Sequence, residues 1–230
     1  MKKLILIFLM LFLSFGLISC KKKNPDIEQM IKEYRDAKIK LYISENNEYD
    51  DYEVDVAFLG DSLTDGYDVK SYYPDYLVVN RGIGGDTTFD LENRLQVSLY
   101  DLKPKVIVML IGANNFKTMF DNYENILKGF QQNVPNSKVI LLSLTSMGKE
   151  WGKNNNIAKE NNIKIQELAT KYNYEFIDLY NPLLNPTTNE IYEEYTTDGG
   201  HLTPKGYEVL TKCISPIIKQ QLDKYHLENE

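Results

Sequence analysis

Gly60-Asp61-Ser62 closes an apolar run, and Asp198-Gly199-Gly200-His201 follows near the far end of the chain. A serine hydroxyl is a weak nucleophile until a neighbouring base takes its proton, and that base is most often an imidazole held in one tautomer by a carboxylate. The chain has 2 histidines. His226 falls in the polar tail 224–230, which leaves His201 as the candidate base. Asp198 stands three residues before it, so in a turn-like loop its carboxylate can reach one ring nitrogen while the other faces a serine. Gly199 and Gly200 leave the backbone free to arrange this. Nucleophile, base and orienting acid together point to acyl chemistry at Ser62. Each segment also has a plainer reading: Gly60-Asp61-Ser62 as a helix cap, and His201 as a surface histidine ahead of a helix opened by Thr203 or Pro204. The Gly-x-Ser-x-Gly elbow is absent, because Thr64 stands at its second glycine.

Two further segments supply groups for developing negative charge. Asn80-Arg81-Gly82-Ile83-Gly84-Gly85-Asp86-Thr87 is a glycine-rich turn between a strand and a helix. It fails as a dinucleotide fingerprint: Thr87 occupies the third glycine position, and no acidic residue for a ribose follows the next strand. The bare N–H of Gly85 is better read as an oxyanion donor. Asn114 can add a side-chain amide, with Asn115 beside it as the competing assignment and a turn-forming asparagine as the plain one. Trp151, the only tryptophan, and Tyr192 and Tyr195 lie in loops that reach the same rim. They are candidates for a sugar-stacking or acyl-lining pocket, or for packing those loops onto the domain.

Strands must carry these residues. Short apolar runs at 54–59, 76–79, 106–111, 139–144 and 174–179 read as buried strands. They alternate with helical patterns at about 86–102, 115–133, 154–172 and 203–224, after a lead-in helix from Asn24 to about Asn47. Alternation of this kind predicts an α/β fold with a parallel sheet covered on both faces. In such a sheet ligands gather at the carboxyl ends of the strands, which is where Ser62, Gly85, Asn114 and the Asp198–His201 loop all fall.

Hydrophobic residues make up 43% of the chain and charged residues 26%, a globular and not a disordered composition. The net charge of −7 argues against nucleic acid as a partner. Lys2-Lys3 followed by an apolar stretch to Leu13 reads as a secretory signal. Its end, Leu17-Ile18-Ser19-Cys20, resembles the lipobox of bacterial lipoproteins, which implies lipidation at Cys20 and tethering to a membrane of the cell envelope, with the domain outside the cytoplasm. Lys21-Lys22-Lys23 would then lie against anionic headgroups or in solvent. The expected division is 1–19 signal, 20–47 tether and lead-in helix, and 48–230 a single catalytic domain. Cys213, the only other cysteine, has no disulfide partner if Cys20 is acylated. Two histidines and no cysteine cluster give little material for a metal site.

These segments, in this order from about Val54 to Leu222, resemble the SGNH hydrolases, also called the GDSL lipase/esterase family. Gly60-Asp61-Ser62-Leu63 is similar to its first block, Gly85 within 82–88 to its second, Gly112-Ala113-Asn114-Asn115 to its third and Asp198-Gly199-Gly200-His201 to its last. The stretches 82–88 and Lys103-Pro104-Lys105-Val106-Ile107-Val108 are further similar to the catalytic subunits of platelet-activating-factor acetylhydrolase. The resemblance implies a three-layer α/β/α sandwich with a five-stranded parallel sheet of flavodoxin-like order, and no metal or organic cofactor. It implies Ser62 as nucleophile, His201 as general base and Asp198 as its orienting carboxylate. The Ser62 and Gly85 N–H groups and the Asn114 amide would form the oxyanion hole. The third block reads Asn-Asn where many members have Asn-Asp, which leaves Asn114 intact. The expected activity is hydrolysis of short-chain, acetyl esters of a carbohydrate or lipid. Acyl transfer, long-chain lysophospholipase action and inactive glycan or lipid binding are the alternatives. The oligomeric state is not legible.

Overall fold

The computed structural model describes residues 25–229. The expected signal segment 1–19, Cys20 and the basic run 21–23 lie outside them. The chain divides into two units, Met1–Ala37 and Lys38–Glu230. The described part of the first is helical, in the opening turns of α1 (Pro25–Asn46).

Residues 38–46, the later part of α1, belong to the larger unit. Tyr42 is buried and donates to the Gly82 carbonyl at 2.7 Å. Asn46 donates to the Val97 carbonyl at 2.7 Å. The fully buried Arg81 pairs with Glu45 and lies over the Tyr42 ring.

After α1 the order is β1 (Val56–Gly60), α2 (Ser62–Asp65), α3 (Val69–Tyr72), β2 (Val78–Gly82), α4 (Thr88–Asn93), β3 (Val106–Leu110), α5 (Phe120–Asn133), β4 (Lys138–Leu142), α6 (Asn155–Tyr172), β5 (Glu175–Ile177), α7 (Tyr180–Leu183), a ribbon of β6 (Leu184–Asn185) and β7 (Glu190–Ile191), and α8 (Pro204–Asn229). The first five strands form one sheet in the order β2-β1-β3-β4-β5, parallel throughout. This is the flavodoxin-like order.

The strands read as unbroken apolar runs because both faces are covered, and the period of two sorts each run between two cores. From β3, Ile107 and Met109 face a core completed by Leu91, Leu127, Phe130 and Ile165 of α4, α5 and α6. Val106, Val108 and Leu110 face a second core with Leu63 of α2 and Leu210, Ile214 and Ile218 of α8. Each fully buried side chain of this kind contributes roughly 1.5–3 kcal/mol, and together they make the sheet the rigid base of the site. Cys213 is a free, partly buried thiol against the second core.

Three expectations change in detail. The helix expected over 86–102 is α4 followed by a π-helical turn at Gln96–Tyr100, and the break falls at Arg94, whose side chain runs beneath the sheet ends. The helix expected from 115 begins at Phe120. Residues 224–229 of the expected polar tail are the last part of α8, which continues to Asn229 as Tyr225 is buried beside the Tyr52 ring. Among the described residues no helix is long and apolar enough to cross a membrane, and no cluster of three or more His, Cys, Asp or Glu is arranged to hold a metal.

Candidate active site

Ser62 opens α2 directly beyond β1. Asp61 caps this short helix by accepting from the Leu63 N–H at 3.1 Å, which turns the chain sharply and leaves the serine at the carboxyl edge of the sheet. Across that edge, His201 Nε2 lies 3.0 Å from Ser62 Oγ. The other ring nitrogen, Nδ1, is 2.7 Å from Asp198 Oδ2. The second oxygen of Asp198 accepts from the backbone N–H groups of His201, at 2.7 Å, and of Gly200, at 2.9 Å. A Gly-Gly insert makes this closure possible: Gly199 has φ +95°, and a Cβ there would collide with the Gly148 carbonyl. The His201 carbonyl is tied down by Thr196 Oγ1 at 2.7 Å and the Thr197 N–H at 3.0 Å. His226, the other histidine, is exposed on α8 with its ring against Tyr225.

The two aspartates here are driven in opposite directions. Burial raises the Asp198 pKa, but the His201 side chain, the His201 and Gly200 N–H groups and the charge of His201 outweigh it and hold the carboxyl well below the usual range. Asp61 is almost completely buried. Burial pushes its pKa up to about 7, with the Leu63 N–H and the charge of His201 opposing only in part.

The loop after β2 is fixed point by point. Ile83 N–H donates to the Gly60 carbonyl at 3.1 Å, and Gly84 N–H to Asp65 Oδ2 at 3.0 Å. Gly85 comes next, at φ +83° with open space where a Cβ would stand. Its N–H, like that of Ser62, has no protein partner among the described residues. Asn114 Nδ2 donates to the Asp86 carbonyl at 2.9 Å, which places the amide beside this loop. Asn115 turns the other way: it donates to Thr88 Oγ1 at 2.9 Å and accepts from the Thr88 N–H at 3.3 Å. Both ends of the Asn115 amide are thus engaged with Thr88, whereas Asn114 is held by the loop that carries Gly85.

Of the pocket candidates, Trp151 stands edge-on to the His201 ring, centroids 6.3 Å apart at 84°, and lies against Gly200. Tyr192 and Tyr195 pair with each other at 5.4 Å. Tyr195 packs onto the second core, whereas Tyr192 borders an open depression with Asn185, Glu193 and Glu194, so neither is placed against Ser62 as Trp151 is against His201. Sequence reasoning passed over the residues that hold the loops. Asn155 brackets Met147 with bonds to its N–H and carbonyl at 2.9 and 2.8 Å. Asn162 does the same for Leu144 at 2.8 and 3.0 Å. Arg94 gathers carbonyls beneath the site.

A parallel sheet in this order, sandwiched between helices and bearing serine, histidine and aspartate on its carboxyl rim, defines a three-layer α/β/α hydrolase class. Residues 58–209 match the model of the GDSL-like lipase/acylhydrolase family, and the chain belongs to that family of esterase-type hydrolases. It is 30% identical over 187 residues to platelet-activating factor acetylhydrolase IB subunit alpha2 of Gallus gallus, covering 76% of this chain and 80% of the relative. Among solved structures it is similar to one from Streptococcus pneumoniae described as a platelet activating factor, with TM-score 0.75 and 26% identity, covering 84% of this chain and 96% of that one. A GDSL-like lipase from Bacteroides thetaiotaomicron shares the fold, with TM-score 0.71 and 23% identity, covering 79% of this chain and 97% of the other.

Proposed function

We propose that the protein is a serine esterase that removes short acyl groups, acetyl in the first place, from carbohydrate or lipid esters through an acyl-Ser62 intermediate. One observation carries the reading: an unbroken line of hydrogen bonds from Ser62 Oγ to His201 at 3.0 Å and from His201 to Asp198 at 2.7 Å. Ser62 Oγ adds to the ester carbonyl carbon while its proton passes to His201 Nε2. Asp198 holds the ring and stabilises the imidazolium. The carbonyl oxygen becomes an oxyanion held by the Ser62 and Gly85 N–H groups and the free N–H of the Asn114 amide, where one such donor is worth about 10²–10³ in rate. The intermediate collapses, the bond to the leaving alcohol breaks, and His201 returns its proton to that oxygen. Water then attacks the acyl-serine, gives its proton to His201, and the acid leaves as Ser62 is restored. The acetyl preference is supported by likeness to an acetylhydrolase at 30% identity.

Ser62→Ala tests the reading. Turnover of p-nitrophenyl acetate and labelling by a fluorophosphonate are expected to disappear with an unchanged melting temperature, and retained turnover would overturn it. The chain is further proposed to be exported and anchored through lipidated Cys20, on the strength of its lipobox-like sequence. Cys20→Ala is expected to move the protein from the membrane fraction to the soluble one, and an unchanged distribution would contradict the anchor.

A further inference from the structure

Arg94 and Asp86 form a charged pair with almost no exposure to solvent, 6% and 0% respectively, joined at 2.6 Å through Arg94 Nε and Asp86 Oδ2. Two further guanidinium bonds go to backbone of different strands: Nη2 to the Gly60 carbonyl at 3.0 Å and Nη1 to the Arg81 carbonyl at 2.9 Å. Nη1 also reaches Ser98 Oγ at 2.7 Å. Gly60 lies two residues before Ser62, and Asp86 directly follows Gly85. The Asp86 carbonyl accepts the Asn114 amide at 2.9 Å. One guanidinium therefore fastens, directly or through Asp86, the three segments that carry the three oxyanion donors.

Stability alone does not account for such a pair, since apolar side chains of similar volume in place of a buried ion pair are often neutral or stabilising. Apolar side chains cannot, however, hold three backbone segments from separate strands at set positions, and donors of this kind act only when held within about 0.5 Å of the productive geometry.

We propose that Arg94 and Asp86 are positioning residues for the oxyanion hole, setting the Gly85 N–H and the Asn114 amide relative to Ser62. The inference rests on the serine-esterase reading above. Its consequence is a defect in the chemical step that is shared with Asn114, not a defect in binding.

A double-mutant cycle with p-nitrophenyl acetate tests it, using the full chain and recording kcat, KM and melting temperature for each variant. Asp86→Asn and Arg94→Lys are expected to lower kcat about 10- to 100-fold with KM within about twofold. In an Asn114→Ala background the Asp86→Asn factor is expected to shrink to about threefold or less, because the amide it positions is gone and only the part acting through Gly85 remains. If Asp86→Asn does not fold, Ser98→Ala, which removes a single guanidinium bond, is carried through the same cycle, with a several-fold loss of kcat that shrinks in Asn114→Ala. An unchanged kcat, a loss confined to KM, or the same factor in both backgrounds overturns the proposal. Those results alongside an inactive Ser62→Ala overturn the positioning role alone, whereas wild-type turnover by Ser62→Ala overturns the esterase reading and this inference with it.

Discussion

Asp198 meets His201 twice, with Oδ2 2.7 Å from the ring nitrogen Nδ1 and Oδ1 accepting the backbone N–H at 2.7 Å. The second bond fixes the carboxylate to the main chain of the same residue whose ring it orients, so the group that holds the imidazole is itself held in place. The low pKa of Asp198 follows from these bonds and keeps the carboxylate ionised through the neutral and mildly acidic range.

Asp198→Asn retains the shape but loses the charge and presents an N–H in place of an acceptor. The expected result is a fall in kcat of about 10³–10⁴ with the fold preserved, measured on p-nitrophenyl acetate beside a melting curve. Activity within tenfold of wild type would remove Asp198 from this role.

Asp61 gives a prediction about stability and pH. Its unfolded carboxyl ionises near the ordinary value of 3.8 and its folded one near 7, so the folded state holds the proton more tightly. The resulting stability is fully present below pH 3.8, declines as pH rises, and is lost by about pH 7. Asp61→Asn keeps an oxygen to cap α2 and removes the titration. Urea unfolding at pH 4 and pH 8 should show the variant gaining on wild type by up to roughly 4 kcal/mol between the two. A difference independent of pH would mean that Asp61 ionises normally in place.

Trp151 borders the His201 ring without bonding to it, a position from which an indole limits what sits over the nucleophile. Trp151→Ala should change the ratio of kcat/KM between acetyl and butyryl esters, or between p-nitrophenyl acetate and acetylated xylan, by about tenfold, with a melting shift of only a few degrees. A large loss of melting temperature at an unchanged ratio would make it a packing residue of its loop.

Much of this protein was legible before any coordinates. The five strands were visible because doubly covered parallel strands are continuous apolar runs, and the order of the glycine, asparagine and histidine segments marked one rim of the sheet. Element ends were less legible: β2 extends into Asn80-Arg81-Gly82, where the polar residues meet backbone groups and the neighbouring helix, not solvent. The helix expected over 86–102 was misjudged because its apolar spacing continues through Arg94, while the side chain of that residue is claimed by carbonyls of other strands.

What the sequence determined by itself is local: period, turn chemistry and the short supply of histidine, which together select Ser62, Asp198 and His201 as residue types in usable places. Only the tertiary structure decided which imidazole nitrogen faces which oxygen, that Asn114 bonds the Asp86 carbonyl while Asn115 bonds Thr88, and that a buried arginine joins Asp86 to the end of β1. The reason is physical. Hydrogen bonds act over about 3 Å, and whether residues far apart in the chain come that close depends on the order of strands in the sheet, which no neighbouring residue encodes.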